Sequence, residues 1–357
     1  MQNKDRLSNI ELLRIITMLL IVVHHCVLHS GLIKSIMTEP ISAQNWLVAC
    51  LGMWGKTGIN CFVLITGYFM CGSQITLRKF LKLVLEVMFY GITIYLILAA
   101  AGLDTLSFFQ AIYSASPVKS VSGEFTSCYM LFFLLVPFLK ALVDNLSKFK
   151  HLALVALCLL ISSFAWATAA KSHMNYVTWF SILFLLGSYI RKHGIMPQWE
   201  FKKWLFATFA VVGASLLTVL VQFWRGKWPW TFVEGAYAPM AVACAVCMFM
   251  LFLHIKIPTN RFINTVAAST YGILLIHDHS FAMRQLIWRD GLNVIECHST
   301  PYCIPYVLLC SIAVFTVCSS IDIFRLRFIE RPILDMAYNT LGPKAERLMK
   351  FLKKKAE

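Results

Sequence analysis

Long apolar runs broken by short polar, often basic, stretches recur along the whole chain. They fall at roughly 10 to 29, 46 to 70, 80 to 101, 126 to 142, 152 to 169, 177 to 190, 204 to 223, 236 to 254, 265 to 283 and 303 to 323. Most approach the ~20 residues that an α-helix needs to cross a hydrocarbon core, and none alternates with the two-residue period of a half-buried strand. The pattern predicts an all-α integral membrane protein with about ten transmembrane helices. From about residue 330 the apolar runs give way to a basic, amphipathic tail that suits the inner membrane surface.

Composition agrees. Hydrophobic residues make up 59% of the 357 positions and charged residues only 14%, against about 25% charge in an ordinary soluble domain. A soluble globular fold is excluded. Ten spans would use about 200 positions and leave no room for a second water-soluble domain. The expected organisation is one transmembrane domain over 1–335 and a basic cytoplasmic tail over 336–357.

The formal charge of +15 would suggest nucleic acid in a soluble chain, but in a membrane protein basic residues mark the cytoplasmic side. With the N-terminus inside, 24 of the 32 Lys and Arg fall in inward loops or the tail. The others are Lys34, Lys56, Lys119, Lys171, Arg225, Lys227, Arg284 and Arg289. The asymmetry predicts an even number of spans with both termini cytoplasmic and removes the need for a nucleic-acid partner. The first segment is not read as a cleaved leader, because Glu11, Arg14, His24 and His25 interrupt it and no small-residue cleavage site follows. The twelve Cys are scattered through apolar runs and make no disulfide framework. Cys244 and Cys247 form a CxxC without a second pair, and only Cys297 and Cys303 lie in a polar loop.

Candidate chemistry concentrates in the first helix, NIELLRIITMLLIVVHHCVLHSG. Ionisable groups inside a membrane helix are costly and face protein or water. At 100° per residue, Arg14 and His25 come within about 20° of one another, with Glu11 and His29 each about 60° from Arg14 and His24 about 80° away from the stripe. At about 1.5 Å rise per residue, His25 stands about 16 Å above Arg14, so one long ligand could lie beside both. Arg offers a fixed charge and a planar donor fork, His a proton acceptor near working pH, and Glu11 can orient the guanidinium. The plainer reading is that Arg14 snorkels to the interface and His25 bonds a neighbouring helix.

Arg14-x10-His25 with its preceding acidic residue resembles the first helix of the acyltransferase-3 family of integral membrane acyltransferases. GINCFVLITGYF (58–69), CYMLFFLLVPFL (128–139), STYGILLIH (269–277) and IERP (329–332) resemble later family segments in order. Glu11 stands where members often have Asp, and Thr66 where they often have Ser; both keep the oxygen. The resemblance implies a multi-pass enzyme of the bacterial plasma (inner) membrane. It would move an acyl group, expected to be acetyl, from acyl-CoA to a hydroxyl of a cell-surface polysaccharide or lipid-linked glycan precursor. Acetyl-CoA would then be a cosubstrate with no bound cofactor, and the partners would be donor, glycan and membrane lipid. His25 would act as base or acyl carrier, Arg14 would position the donor, and Glu11 would hold Arg14.

Lys56, Thr66 and His277 are the expected substrate or pocket residues, and Arg325 and Arg327 are candidates for the donor's phosphates beside Arg14. Close packing is the commoner reason for Thr66-Gly67. Glu86 is expected to pair with Arg78 or Lys82. Trp224, Trp228 and Trp230 suit an interfacial belt better than a sugar platform. His24, His25, His277 and His279 lack a metal-ligand spacing, so no metal is expected. His277, Asp278 and His279 do not face one another on an unbroken helix. A transporter or flippase of lipid-linked sugars is the alternative function and would predict an inverted repeat, which the sequence lacks. A membrane sensor and a haem carrier fit less well.

Overall fold

The computed structural model describes residues 7–119, 124–167 and 175–356. Lys4, Arg6 and Lys171 of the charge distribution, and the last positions of the run expected at 152–169, lie outside them. Among the described residues the fold is all helix. The first half holds α1 (Ser8–His29), α2 (Leu32–Ile36), α3 (Ala43–Gly52), α4 (Gly55–Met70), α5 (Leu77–Ala100), α6 (Phe108–Ala115), α7 (Phe125–Asp144) and α8 (Lys148–Ala167). The second holds α9 (Tyr176–His193), α10 (Phe201–Trp224), α11 (Pro239–His254), α12 (Arg261–Ala268), α13 (Thr270–His277), α14 (Phe281–Gln285), α15 (Cys303–Phe328) and α16 (Glu330–Ala356). A π-helical turn over Leu286–Gly291 follows α14.

Starts are written locally. Ser42, Thr76, Asn175, Asn260 and Ser280 each cap a helix by accepting a backbone N–H from three residues on, which satisfies one of the first-turn donors. Among the described residues, six helices are long and apolar enough to cross a membrane, with Ala43–Met70 taken as one span, and Pro239–His254 is a shorter apolar helix. The protein is therefore an all-α, multi-pass membrane protein.

Two expected helices are broken. The run over 46–70 divides at Met53 and Trp54 into α3 and α4, where a Cβ on Gly52 would meet Trp230 at 2.6 Å and one on Gly55 the His24 ring at 2.4 Å. The run over 265–283 divides into α12, α13 and α14, and its polypeptide leaves the helix at Asp278. The tail is helical throughout α16, with Pro343 inside it.

The first helix is the hub, packed by α3, α4, α11, α12, α13 and α15. Beside it α4 crosses α9 at backbone contact: a Cβ on Gly67 would lie 2.8 Å from the Phe184 Cα, and one on Gly187 2.7 Å from the Leu64 carbonyl oxygen. Gly67 thus serves close packing, as the sequence favoured. Trp230 corrects the belt expectation. It is fully buried, donates to the Ala49 carbonyl at 2.8 Å and packs 5.2 Å from the His24 ring. Trp228 donates to Glu234 at 2.5 Å, and Trp224 alone of the three is largely exposed.

Candidate active site

A cavity of about 210 Å³ opens beside the second half of α1. His24 and His25 reach it from α1, Lys56 and Phe62 from α4, Tyr90 from α5, and Asp278 and Arg284 from the broken end of the α13–α14 segment. Lys119 and Glu124 line it from outside the spans. Burial pushes the Lys119 ammonium below the ordinary lysine value, and the Glu124 carboxylate opposes that shift.

Within the cavity wall the histidines are ordered by one hydrogen-bond chain. His277, fully buried, places Nδ1 2.6 Å from the Ile273 carbonyl oxygen one turn back. A carbonyl only accepts, so this nitrogen carries the proton and neutral His277 presents an unprotonated Nε2. That Nε2 lies 2.9 Å from His25 Nδ1, so His25 donates from Nδ1, and its own Nε2 holds the ring's lone pair. A hydrogen bond of this kind at one ring nitrogen selects the tautomer of a working imidazole.

The break after His277 turns Asp278 back toward α1. Its Oδ1 stands 3.8 Å from His25 Nδ1 and 3.4 Å from His29 Nε2, and accepts from Arg284 Nε at 2.6 Å. His277 and Asp278 make no direct dyad, as expected of neighbours, but both reach His25 because the helix ends between them. His24 borders the same cavity but stands outside the hydrogen-bond chain: its Nδ1 donates to the Gly52 carbonyl at 2.5 Å, and its ring packs on Gly55 and Trp230.

The other expected residues divide. Lys56 lines the cavity and donates from Nζ to the Tyr176 hydroxyl at 2.8 Å. Arg14 is half-buried near the start of α1, 3.8 Å from Glu11 Oε2 and 6.0 Å from the centre of the Phe62 ring, which itself lines the cavity. Thr66 is buried below, its hydroxyl 3.2 Å from that of Tyr129 and donating to the Phe62 carbonyl at 3.0 Å. Neither Glu11 nor Thr66 reaches the cavity wall.

Arg325 and Arg327 do not join this site. Arg325 is buried and donates to Asp322 at 2.7 Å, Glu86 at 2.8 Å and Glu330 at 3.2 Å. Three carboxylates occupy its donor edges and leave the surroundings hostile to a phosphate. Glu86 pairs here and not with Arg78 or Lys82, which bind Asp335 and Glu330. Arg327 is exposed beside the Phe328 ring.

Sequence reasoning missed Arg284, Tyr176, Lys119 and Glu124. Their only local signal is charge or hydroxyl at the edge of an apolar run, which many solvated residues share.

The acyltransferase domain of the acyltransferase-3 type matches residues 7–325, nearly the whole chain, including both α1 and the α13 end that build the cavity. The chain belongs to the acyltransferase-3 family. Membership makes it a membrane acyltransferase. No curated protein and no solved structure matches it.

Proposed function

We propose that the protein transfers an acyl group, acetyl in the simplest case, from acyl-CoA to a hydroxyl of a cell-surface polysaccharide or its lipid-linked precursor, with His25 as general base. The observation that carries this reading is the Ile273–His277–His25 chain, which leaves the lone pair on Nε2 of a ring lining a cavity. A neutral imidazole with one nitrogen anchored and the other free is what proton abstraction requires.

Nε2 of His25 takes the proton of the acceptor hydroxyl as its oxygen attacks the thioester carbonyl. The tetrahedral intermediate collapses with cleavage of the carbon–sulfur bond, and the coenzyme A sulfur leaves with the proton from His25. Asp278 stabilises the ring while it is charged, and the Lys56 ammonium faces the developing oxyanion. Arg14 holds an anionic part of the donor, with Glu11 as its counter-charge; the Phe62 ring, between Arg14 and the cavity, links the two places. His277 is a positioning residue.

Ten spans with both termini cytoplasmic are part of the same reading, with one transmembrane domain through residue 335 and a basic tail. The charge distribution supports it. It sets the start of α1 with Arg14 toward the cytoplasm, where acyl-CoA resides, and His25 toward the outer side of a bacterial plasma membrane, where surface glycans are finished. The test is to incubate the purified protein in lipid vesicles with radiolabelled acetyl-CoA and surface glycan fractions. Label in a glycan fraction is expected; folded protein that labels none of them contradicts the proposal.

A further inference from the structure

Three side chains at the outer end of α1 converge more closely than base catalysis requires. His25 and His29 are four residues apart, one above the other on the same helix face, with ring centres 5.0 Å apart. Asp278 faces both from the broken α13 end. His29 Nε2 to Asp278 Oδ1 is 3.4 Å, His25 Nδ1 to the same oxygen is 3.8 Å, and one ligand atom from each residue lies within 4.8 Å of the other two. Donors about 2.1 Å from a tetrahedral Zn²⁺ stand about 3.4 Å apart, so the edges to Asp278 need only tenths of an ångström to close.

We infer that His25, His29 and Asp278 form a chelating site for a zinc-class divalent cation, and that its occupancy blocks acyl transfer. Two imidazoles and one carboxylate match the preference of Zn²⁺ and its borderline neighbours and disfavour Mg²⁺ or Ca²⁺. His277 Nε2, 2.9 Å from His25 Nδ1, is the nearest further nitrogen donor, with its tautomer already set by the Ile273 carbonyl. Arg284 opposes the cation, since its Nε donates to the oxygen that must bind it. The guanidinium can withdraw into the adjoining cavity of about 220 Å³, which it lines together with His29.

Blocking follows from the tautomer. A cation on Nδ1 of neutral His25 moves that ring's proton to Nε2, the nitrogen that would otherwise receive the acceptor's proton. This half rests on the function proposed above; binding itself does not.

The purified full chain, carrying Cys297→Ser and Cys303→Ser so that those thiols do not bind metal, is titrated with Co²⁺ and followed by its visible absorption. One tetrahedral Co²⁺ per chain, displaced by Zn²⁺, is expected. His29→Ala weakens binding at least ~10-fold, since losing even an outer-shell partner costs a metal site about that much. Arg284→Gln strengthens it, a gain that misfolding cannot imitate. Equal Co²⁺ binding by His29→Ala and its parent, or no gain with Arg284→Gln, overturns the site. In the labelled-acetyl assay Zn²⁺ stops transfer over the range in which it displaces Co²⁺, and a chelator restores it. Undiminished transfer by fully Zn²⁺-loaded protein overturns the blocking half alone. The absorption titration decides the site whether or not acetyl transfer is found.

Discussion

At Arg325 the guanidinium is enclosed by three carboxylates, whereas the His25 ring lines an open cavity. Both clusters are buried among apolar helices, and both join side chains more than two hundred residues apart. Around Arg325 stand Glu86, Asp322 and Glu330, with Tyr90 donating to Asp322 at 2.7 Å and Lys82 to Glu330 at 2.8 Å. A recess of about 20 Å³ adjoins Glu86, Arg325 and Glu330, and of the cluster Tyr90 reaches on to the larger cavity. That cluster ties α5, α15 and α16 together. Around His25 the bonds run one way, from the ring to His277 and from His277 to a carbonyl, and they end at a cavity ten times larger. Ionisable residues in a membrane segment suggest function by default. Here they divide into an ion-pair lock and an open site, and the room beside the ionisable groups tells them apart.

The sharpest way to break this contrast is to truncate each centre. His25→Ala is expected to lower acyl transfer about 10²- to 10⁴-fold, the usual worth of a general base, while membrane insertion and thermal unfolding stay near wild type. Arg325→Ala is expected to do the reverse. Leaving buried carboxylates unpaired costs about 3–5 kcal/mol, so folded protein should fall steeply in thermal unfolding while the folded remainder keeps its KM for acyl-CoA. A raised KM with normal stability would return Arg325 to the donor site.

A smaller effect sharpens the role of the relay. His277→Ala should reduce kcat about tenfold, the ~1.4 kcal/mol of one hydrogen bond, and His277→Gln, whose side-chain oxygen can accept from His25 Nδ1, should recover part of it. A purely structural His277 would show equal losses for both variants. At the far end of the scale, Arg78→Ala removes an exposed pair with Asp335, which is worth at most about 1 kcal/mol. Transfer and thermal unfolding should both stay close to wild type.

Much of this was legible in the sequence. The helical period alone sets Arg14 and His25 on one face, and the membrane cost of Glu11, Arg14 and His25 marks α1 as the helix to watch. Lys56 and His277 do line or support the cavity wall. The breaks were not legible, because 46–70 and 265–283 read as continuous apolar runs. What divides α3 from α4 is the room that Gly52 and Gly55 make for Trp230 and His24, and those partners come from other helices. Likewise Asp278 reaches α1 only because the polypeptide leaves the helix after His277. Arg325 looked available because its partner Glu86 lies 239 residues away, and local spacing offered Arg78 and Lys82 to Glu86 instead.

The central claim concerns one proton on one ring, and ¹⁵N NMR of histidine-labelled protein in lipid, with His25 assigned by the signals lost in His25→Gln, reads it directly. Neutral His25 protonated on Nδ1, with Nε2 bare, is the predicted result. A His25 ring protonated on Nε2 would contradict the account, because the nitrogen facing the substrate would then have no lone pair to offer.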